Sequence, residues 1–73
     1  MPQKKKDKRF LGIQVRMKRF ELSMTQEQLS EYADIHSTYL SSIERGKGNP
    51  SYEKIISIAR ALHCSPRELM PEA

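Results

Sequence analysis

The stretch that decides the fold is residues 24–46, which read MTQEQLSEYADIHSTYLSSIERG. It opens with a helix start signal, because Thr25 can cap a helix and Gln28, three residues later, completes a capping box. Apolar residues then recur at helical spacing on both sides of Asp34, a residue type that tolerates the left-handed backbone of a turn. The second helix ends at Gly46, a common C-terminal cap residue. The pattern therefore predicts two short helices joined by a tight turn.

The second of these helices has an outward face of small polar side chains. At about 100° per residue, Leu40 and Ile43 point to one side and a group of hydroxyls with one guanidinium points to the other. This group consists of Thr38, Ser41, Ser42 and Arg45. Small side chains let a helix approach base edges in the major groove of DNA, where hydroxyls donate or accept hydrogen bonds. Since a helix that only faces solvent more often carries Glu–Lys pairs, DNA reading is favoured over a plain pair of packed helices.

Five motifs extend the pattern over nearly the whole chain. They are VRMKR at residues 15–19, MTQEQL at 24–29, YLSSIERG at 39–46, NPS at 49–51 and AL at 61–62. With these motifs the sequence resembles the phage-repressor and Cro-type (XRE-like) helix-turn-helix family of bacterial and phage transcriptional regulators. The resemblance implies an all-α fold, a compact five-helix lambda-repressor-like domain with its helix-turn-helix in helices 2 and 3. It also implies a dimer that binds a palindromic operator.

The resemblance further implies which side chains contact DNA. The base-reading positions of the family match Ser37, Thr38, Ser41 and Ser42. Its phosphate-contacting positions match Gln26, Arg45, Lys47 and Asn49. His36 stands where the family commonly has a capping Ser or Thr, and it is a further candidate base contact. Asp34 replaces the usual turn Gly and Ser30 replaces the usual Ala, and both keep the required geometry. The subfamily stays open between restriction-modification controllers, phage repressors and chromosomal regulators.

An ion pair is expected inside the domain. Arg19 lies at the edge of the core stripe of helix one, and Glu44 lies at the edge of the Leu40/Ile43 stripe. Opposite charges on the flanks of facing apolar surfaces should meet, and the family resemblance implies the same pair. The rest of the core is expected from Leu11, Val15 and Leu22 in a helix that runs from near Lys8 to Leu22, and from two later helices that begin at Ser51 and Ser65.

The charge of the chain is concentrated at its start. Five basic residues and one acidic residue among residues 1–9 account for the whole formal net charge of +4. We therefore expect a basic, flexible N-terminal arm over residues 1–8 and a DNA-binding domain over residues 9–71. Such an arm suits nucleic acid, because each neutralised phosphate releases counterions. A solubilising tail explains the same charges equally well.

Helix one carries a second apolar stripe, which is not typical of the family. Its members are Phe10, Ile13, Met17 and Phe20, at spacings of three and four. The stripe lies opposite the core stripe, so it needs a second burial partner. Cover by the C-terminal segment is one interpretation, and self-association or a partner protein is the other. The second interpretation supports an alternative function, an antitoxin-like module that binds a protein as well as DNA.

Other function classes find little support. No apolar run approaches the length of a membrane span, and Cys64 is the single cysteine. We expect a cytoplasmic protein without membrane contact, disulfide, metal site or cofactor. An enzyme is the weakest hypothesis, because the sequence has no glycine-rich phosphate loop and its two histidines, His36 and His63, lie in different elements.

Overall fold

The computed structural model describes residues 4–70, and all regular structure in that range is helical. The elements are α1 (Lys4–Glu21), α2 (Gln26–Ala33), α3 (Ser37–Glu44), α4 (Tyr52–Ala61) and a final 3-10 helix, η1 (Pro66–Leu69). Helices α2 and α3 form the expected helix-turn-helix. Within residues 4–70, no helix has the length and apolar character that crossing a membrane requires.

Residues 4–70 form four α-helices, and the expectation of five is wrong. The capping box between Ser65 and Glu68 forms, but the segment that follows closes only a 3-10 turn. Met70 already has extended backbone angles, φ −115° and ψ 138°. This conformation is the one favoured before a proline, and the next residue in the sequence is Pro71. Too few residues therefore separate Ser65 from Pro71 for an α-helix.

Helix α1 begins at Lys4 rather than near Lys8, and it ends at Glu21. No Gly or Pro interrupts the chain between Pro2 and Gly12, and lysine is a good helix former. The division into an arm over residues 1–8 and a domain over residues 9–71 stays a prediction, since residues 1–3 and 71–73 lie outside the described range. Leu22 was expected in the core, but it follows the helix end and is exposed.

A single buried cluster joins all the elements. Its members are Leu11, Val15, Leu29, Ala33, Leu40, Ile43, Ile58, Ala59, Leu62 and Leu69. Helix α1 packs against α3, and α2 packs against α3 and α4, while η1 closes the end between α4 and α1. The hydroxyl-bearing face of α3 is the side that this cluster leaves uncovered.

Gly12 lets α1 and α3 approach each other closely. A Cβ atom at this position would collide with the carbonyl oxygen of Ile43 and would come within 2.8 Å of that of Glu44. Only glycine fits such an approach without moving one of the two helices. The end of α3 is therefore held directly on α1.

All four helices end at a residue in the left-handed conformation: Ser23, Asp34, Gly46 and His63. At the turn between α2 and α3, Asp34 has φ 57° and ψ 49°. The N–H of Ile35 then reaches back to the carbonyl of Ser30 at 2.9 Å, which is the hydrogen bond of a Schellman motif. This motif fixes the angle at which α3 leaves α2.

Candidate nucleic-acid interface

A shallow depression opens between the first turn of α2 and the outer face of α3. It is lined by Gln26, Glu27, Ser37, Thr38, Ser41 and Arg45. Five of these six residues are candidate DNA contacts from the sequence. The fold therefore brings the N-terminus of one helix and the small polar face of the next into one continuous surface.

The first turn of α2 is arranged to face an anion. Thr25 accepts a hydrogen bond from the N–H of Gln28 at 3.0 Å, and the Gln28 side chain accepts one from the N–H of Thr25 at 2.9 Å. The amides of Gln26 and Glu27 have no intrahelical partner, because they lie in the first turn. Amides in this position, together with the helix dipole, favour a phosphate group.

The outer face of α3 is open to solvent. The side chains of Ser37 and Thr38 are exposed, and Ser41 is half-buried. Arg45, at the end of the helix, is exposed and donates from Nε to the carbonyl of Ser41 at 3.3 Å. The face therefore carries small side chains along α3 and one guanidinium at its C-terminal end, a shape that could accommodate a DNA duplex.

A buried ion pair fixes the position of Gln26. The Arg19 guanidinium donates from Nε to Glu44 Oε2 at 2.8 Å and from Nη2 to Glu44 Oε1 at 2.9 Å. Gln26 Nε2 donates to the same Oε1 at 3.2 Å. Both charged side chains are buried. Gln26 itself lines the depression. Glu44 thus connects the core of the domain to a residue at its candidate DNA surface.

The remaining candidate residues lie around the depression and not in it. Ser42 is half-buried, and its hydroxyl donates to the Tyr39 carbonyl at 2.6 Å, so only its acceptor capacity is left. His36 occupies the N-cap of α3 without a side-chain cap hydrogen bond, and it lines a second depression on the other side of the turn. Lys47 and Asn49 are exposed on the loop after α3.

Glu27 is the residue of this surface that the sequence did not single out. It is exposed in the first turn of α2, where a carboxylate is common because of the helix dipole. Glu27 and Arg45 line the same depression because of the angle between α2 and α3, and sequence spacing does not encode that angle. A carboxylate repels phosphate, so Glu27 would weaken any sequence-independent attraction of DNA to this surface.

The second apolar stripe of α1 is exposed over its whole length. Phe10 is 36% exposed, Ile13 and Met17 are each 51% exposed, and Phe20 is 58% exposed. The C-terminal segment, as far as the structure describes it, packs on another side of α1, where Lys18 Nζ meets Glu68 Oε1 at 3.0 Å. Cover of the stripe by residues up to Met70 is therefore ruled out.

Little in the described part of the chain suggests chemistry of another kind. Residues 4–70 hold no group of three or more His, Cys, Asp or Glu side chains suited to a metal ion. Cys64 is half-buried against the core, and burial raises the pKa of its thiol. The thiol therefore behaves as a small apolar group.

Comparisons with known proteins agree on one family. Residues 15–69 match a family model described as helix-turn-helix. The control protein C.BamHI of Bacillus amyloliquefaciens is 43% identical over 60 residues, which cover 81% of this chain and 74% of that protein. The crystal structure of the restriction-modification controller protein C.AhdI from Aeromonas hydrophila has a TM-score of 0.83 at 32% identity, covering 86% of this chain and 96% of that one. The crystal structure of SinR, the master regulator for biofilm formation, in complex with DNA has a TM-score of 0.77 at 32% identity. The match covers 81% of this chain and 95% of that one.

Proposed function

The chain belongs to the helix-turn-helix family of DNA-binding transcriptional regulators, and on this basis we propose that it binds a palindromic operator in double-stranded DNA as a homodimer. The observation that carries the proposal is the open depression shared by α2 and α3. Two copies related by a two-fold axis present their α3 helices to successive major grooves, about 34–36 Å apart. The proposed site of action is the cytoplasm, where bacterial DNA lies.

We assign each candidate residue to a base contact or to a phosphate contact according to its position around the depression. Ser37, Thr38 and Ser41 are the proposed base readers, because they lie on its α3 wall. Ser42 and His36, at its margins, are proposed as additional base contacts. The proposed phosphate contacts are Gln26, Arg45, Lys47 and Asn49. Since hydroxyls discriminate bases less sharply than bidentate Arg or Gln, we expect the shape of the DNA to contribute to specificity.

Among the subfamilies that the sequence leaves open, the relatives favour a restriction-modification controller. C.AhdI is a restriction-modification controller protein and C.BamHI is a control protein, and each match covers most of this chain. For this chain we propose the same role, in which the operator lies beside the genes of a restriction endonuclease or its methyltransferase. An operator found only near unrelated genes would contradict this part of the proposal.

Binding-site selection from random duplexes tests the central proposal. The expected product is a two-fold symmetric sequence whose half-sites are one helical turn apart. Each half-site should bind one chain, so that each duplex binds two. A single asymmetric site, or binding of one chain per duplex at saturation, would contradict the dimer. The double substitution Thr38→Ala and Ser41→Ala should reduce the preference for the selected site over random DNA while leaving the melting temperature unchanged.

A second candidate function rests on the exposed stripe of α1. An antitoxin-like module would use Phe10, Ile13, Met17 and Phe20 to hold a partner protein while α3 binds DNA. Co-purification of a separate protein that Met17→Glu displaces would support it. A chain that purifies alone from its native host would argue against it.

A further inference from the structure

A basic residue in the second turn of α1 lies directly against the turn that ends α3. A Cβ atom at Gly46 would lie 3.4 Å from Arg9 Cα and 3.2 Å from Arg9 Cγ. The residues on either side of Gly46 are Arg45 and Lys47, which are both proposed phosphate contacts. The second turn of α1 therefore adjoins the proposed DNA surface, although the two are far apart in the sequence.

Helix geometry places Lys8 on the same side of α1. Gly12 faces the carbonyls of Ile43 and Glu44, and Lys8 lies four residues before Gly12, one helical turn nearer the start of α1. Since α3 ends at Glu44, this turn of α1 lies beside the loop that follows α3. The side chain of Lys8 is half-buried there, and that of Arg9 is exposed.

The two elements together form a surface of positive charge, the basic ridge, which consists of Lys8, Arg9, Arg45 and Lys47. The two ion pairs found within residues 4–70 involve other basic residues, so neither of them neutralises a charge of the ridge. Three further lysines, residues 4–6, precede the ridge in α1, and the sequence from 4 to 9 has one acidic residue. Positive charges held together by packed elements create a local potential that attracts a polyanion.

We propose that the basic ridge is a phosphate-binding site, at which the second turn of α1 contacts the DNA backbone next to the part bound by Arg45 and Lys47. The inference rests on the proposed binding of double-stranded DNA and adds α1 to the surface that performs it. Arg45 also lines the depression of the proposed base readers, so the ridge begins at the edge of that depression. A solubilising tail needs no contact with the folded domain, and the packing of Arg9 on Gly46 therefore favours phosphate binding.

The ridge should contribute affinity and no sequence preference. Phosphate groups are the same at every base pair, so contacts with them hold the protein on the duplex without reading bases. Each neutralised phosphate contributes about 0.9 to the slope of log affinity against log salt. The contribution of the ridge should therefore be equal for the operator and for random DNA, and it should decrease as the salt concentration rises.

Titrations of the selected operator and of a random duplex at several salt concentrations test the ridge. Lys8→Ala and Arg9→Ala should each lower the salt slope by about one and, at about 0.1 M salt, reduce the affinity for both duplexes roughly five- to tenfold. Arg67→Ala is the matched control, because it removes an exposed charge from η1, which joins α1 near its other end through Lys18. This control should leave the slope unchanged.

Arg9→Lys separates the charge of Arg9 from its packing on Gly46. It keeps the charge, so it should retain the wild-type salt slope, and a loss equal to that of Arg9→Ala would overturn the proposal. Unchanged slopes in both alanine variants would also overturn it, as would a loss confined to the operator. If Lys47→Ala still lowers the slope in that case, the ridge fails and the proposed function stands. A wild type that binds neither duplex would overturn both.

Discussion

At the residue scale, Arg19 connects three parts of the molecule. Its guanidinium donates to both oxygens of Glu44 on α3, and its Nη1 donates to the Met24 carbonyl at 2.8 Å in the segment before α2. Since Glu44 also accepts from Gln26, one buried cation orders both helices of the helix-turn-helix.

Arg19→Ala should therefore destabilise the domain severely. The substitution leaves the Glu44 carboxylate buried without its partner, a loss of roughly 3–5 kcal/mol in comparable cases. We expect an unfolded chain or a melting temperature lower by well over ten degrees in thermal denaturation, given about 4–8 °C per kcal/mol for small domains. Arg60→Ala, which removes an exposed arginine from α4, should have little effect. A melting temperature equal to that of the wild type would refute the structural role of the pair.

His36 is a position at which the stability of the domain could be improved. It occupies the N-cap of α3, yet its side chain makes no cap hydrogen bond. His36→Ser should raise the free energy of unfolding by about 1 kcal/mol, because serine can accept from the N–H groups of the first turn. Urea denaturation measures the change. If histidine contributes to operator binding, the same variant should bind the selected operator more weakly despite its higher stability.

At the element scale, η1 is joined to α1 by an ion pair that depends on pH. The Ser65 N–H and then the Lys18 ammonium lower the pKa of Glu68, and the hydrogen bond from Lys18 to Glu68 raises the pKa of the lysine. The stabilisation from Glu68 is therefore present above the ordinary pKa of a glutamate and is lost as the pH falls through the lowered value. The contribution of Lys18 is lost only in strongly alkaline solution.

Glu68→Gln should remove the acidic part of this dependence. The amide keeps an acceptor for the Ser65 N–H, but it carries no charge for Lys18. Below the lowered pKa of Glu68 the variant and the wild type should have equal melting temperatures, and near neutral pH the wild type should be the more stable one. Thermal unfolding measured from pH 2 to pH 8 gives the melting temperatures of the variant and the wild type. A constant difference across this range would contradict the assignment.

Features set by residues close together in the sequence were predictable. Features that depend on how separate elements pack in space were not. Thr25, Gln28, Ser65 and Glu68 signal their capping boxes in the sequence, and both boxes form. The close approach at Gly12 has no local signal apart from a glycine inside a helix pattern. For the same reason Glu27 was missed, and the hydrogen bond that occupies the Ser42 hydroxyl was not foreseen. Each of these depends on where a neighbouring element lies.

At the scale of the whole molecule, we propose that the residues that contact phosphates lie apart from those that read bases. Lys47 lies on the exposed loop after α3, outside the depression that holds the proposed base readers. Lys47→Ala should weaken binding to all duplexes by the same factor and reduce the slope of log affinity against log salt by about one. Titrations of operator and random DNA at several salt concentrations would measure this. A loss confined to the operator would show that Lys47 reads bases.

The central claim is that the hydroxyl-lined face of α3 lies against the duplex. Backbone amide NMR spectra of the labelled protein, recorded during titration with the selected operator, test it most directly. The account predicts that the largest shift changes occur at Ser37, Thr38 and Ser41 and in the first turn of α2, with little change along the apolar stripe of α1. Large changes on that stripe and none on α3 would contradict it.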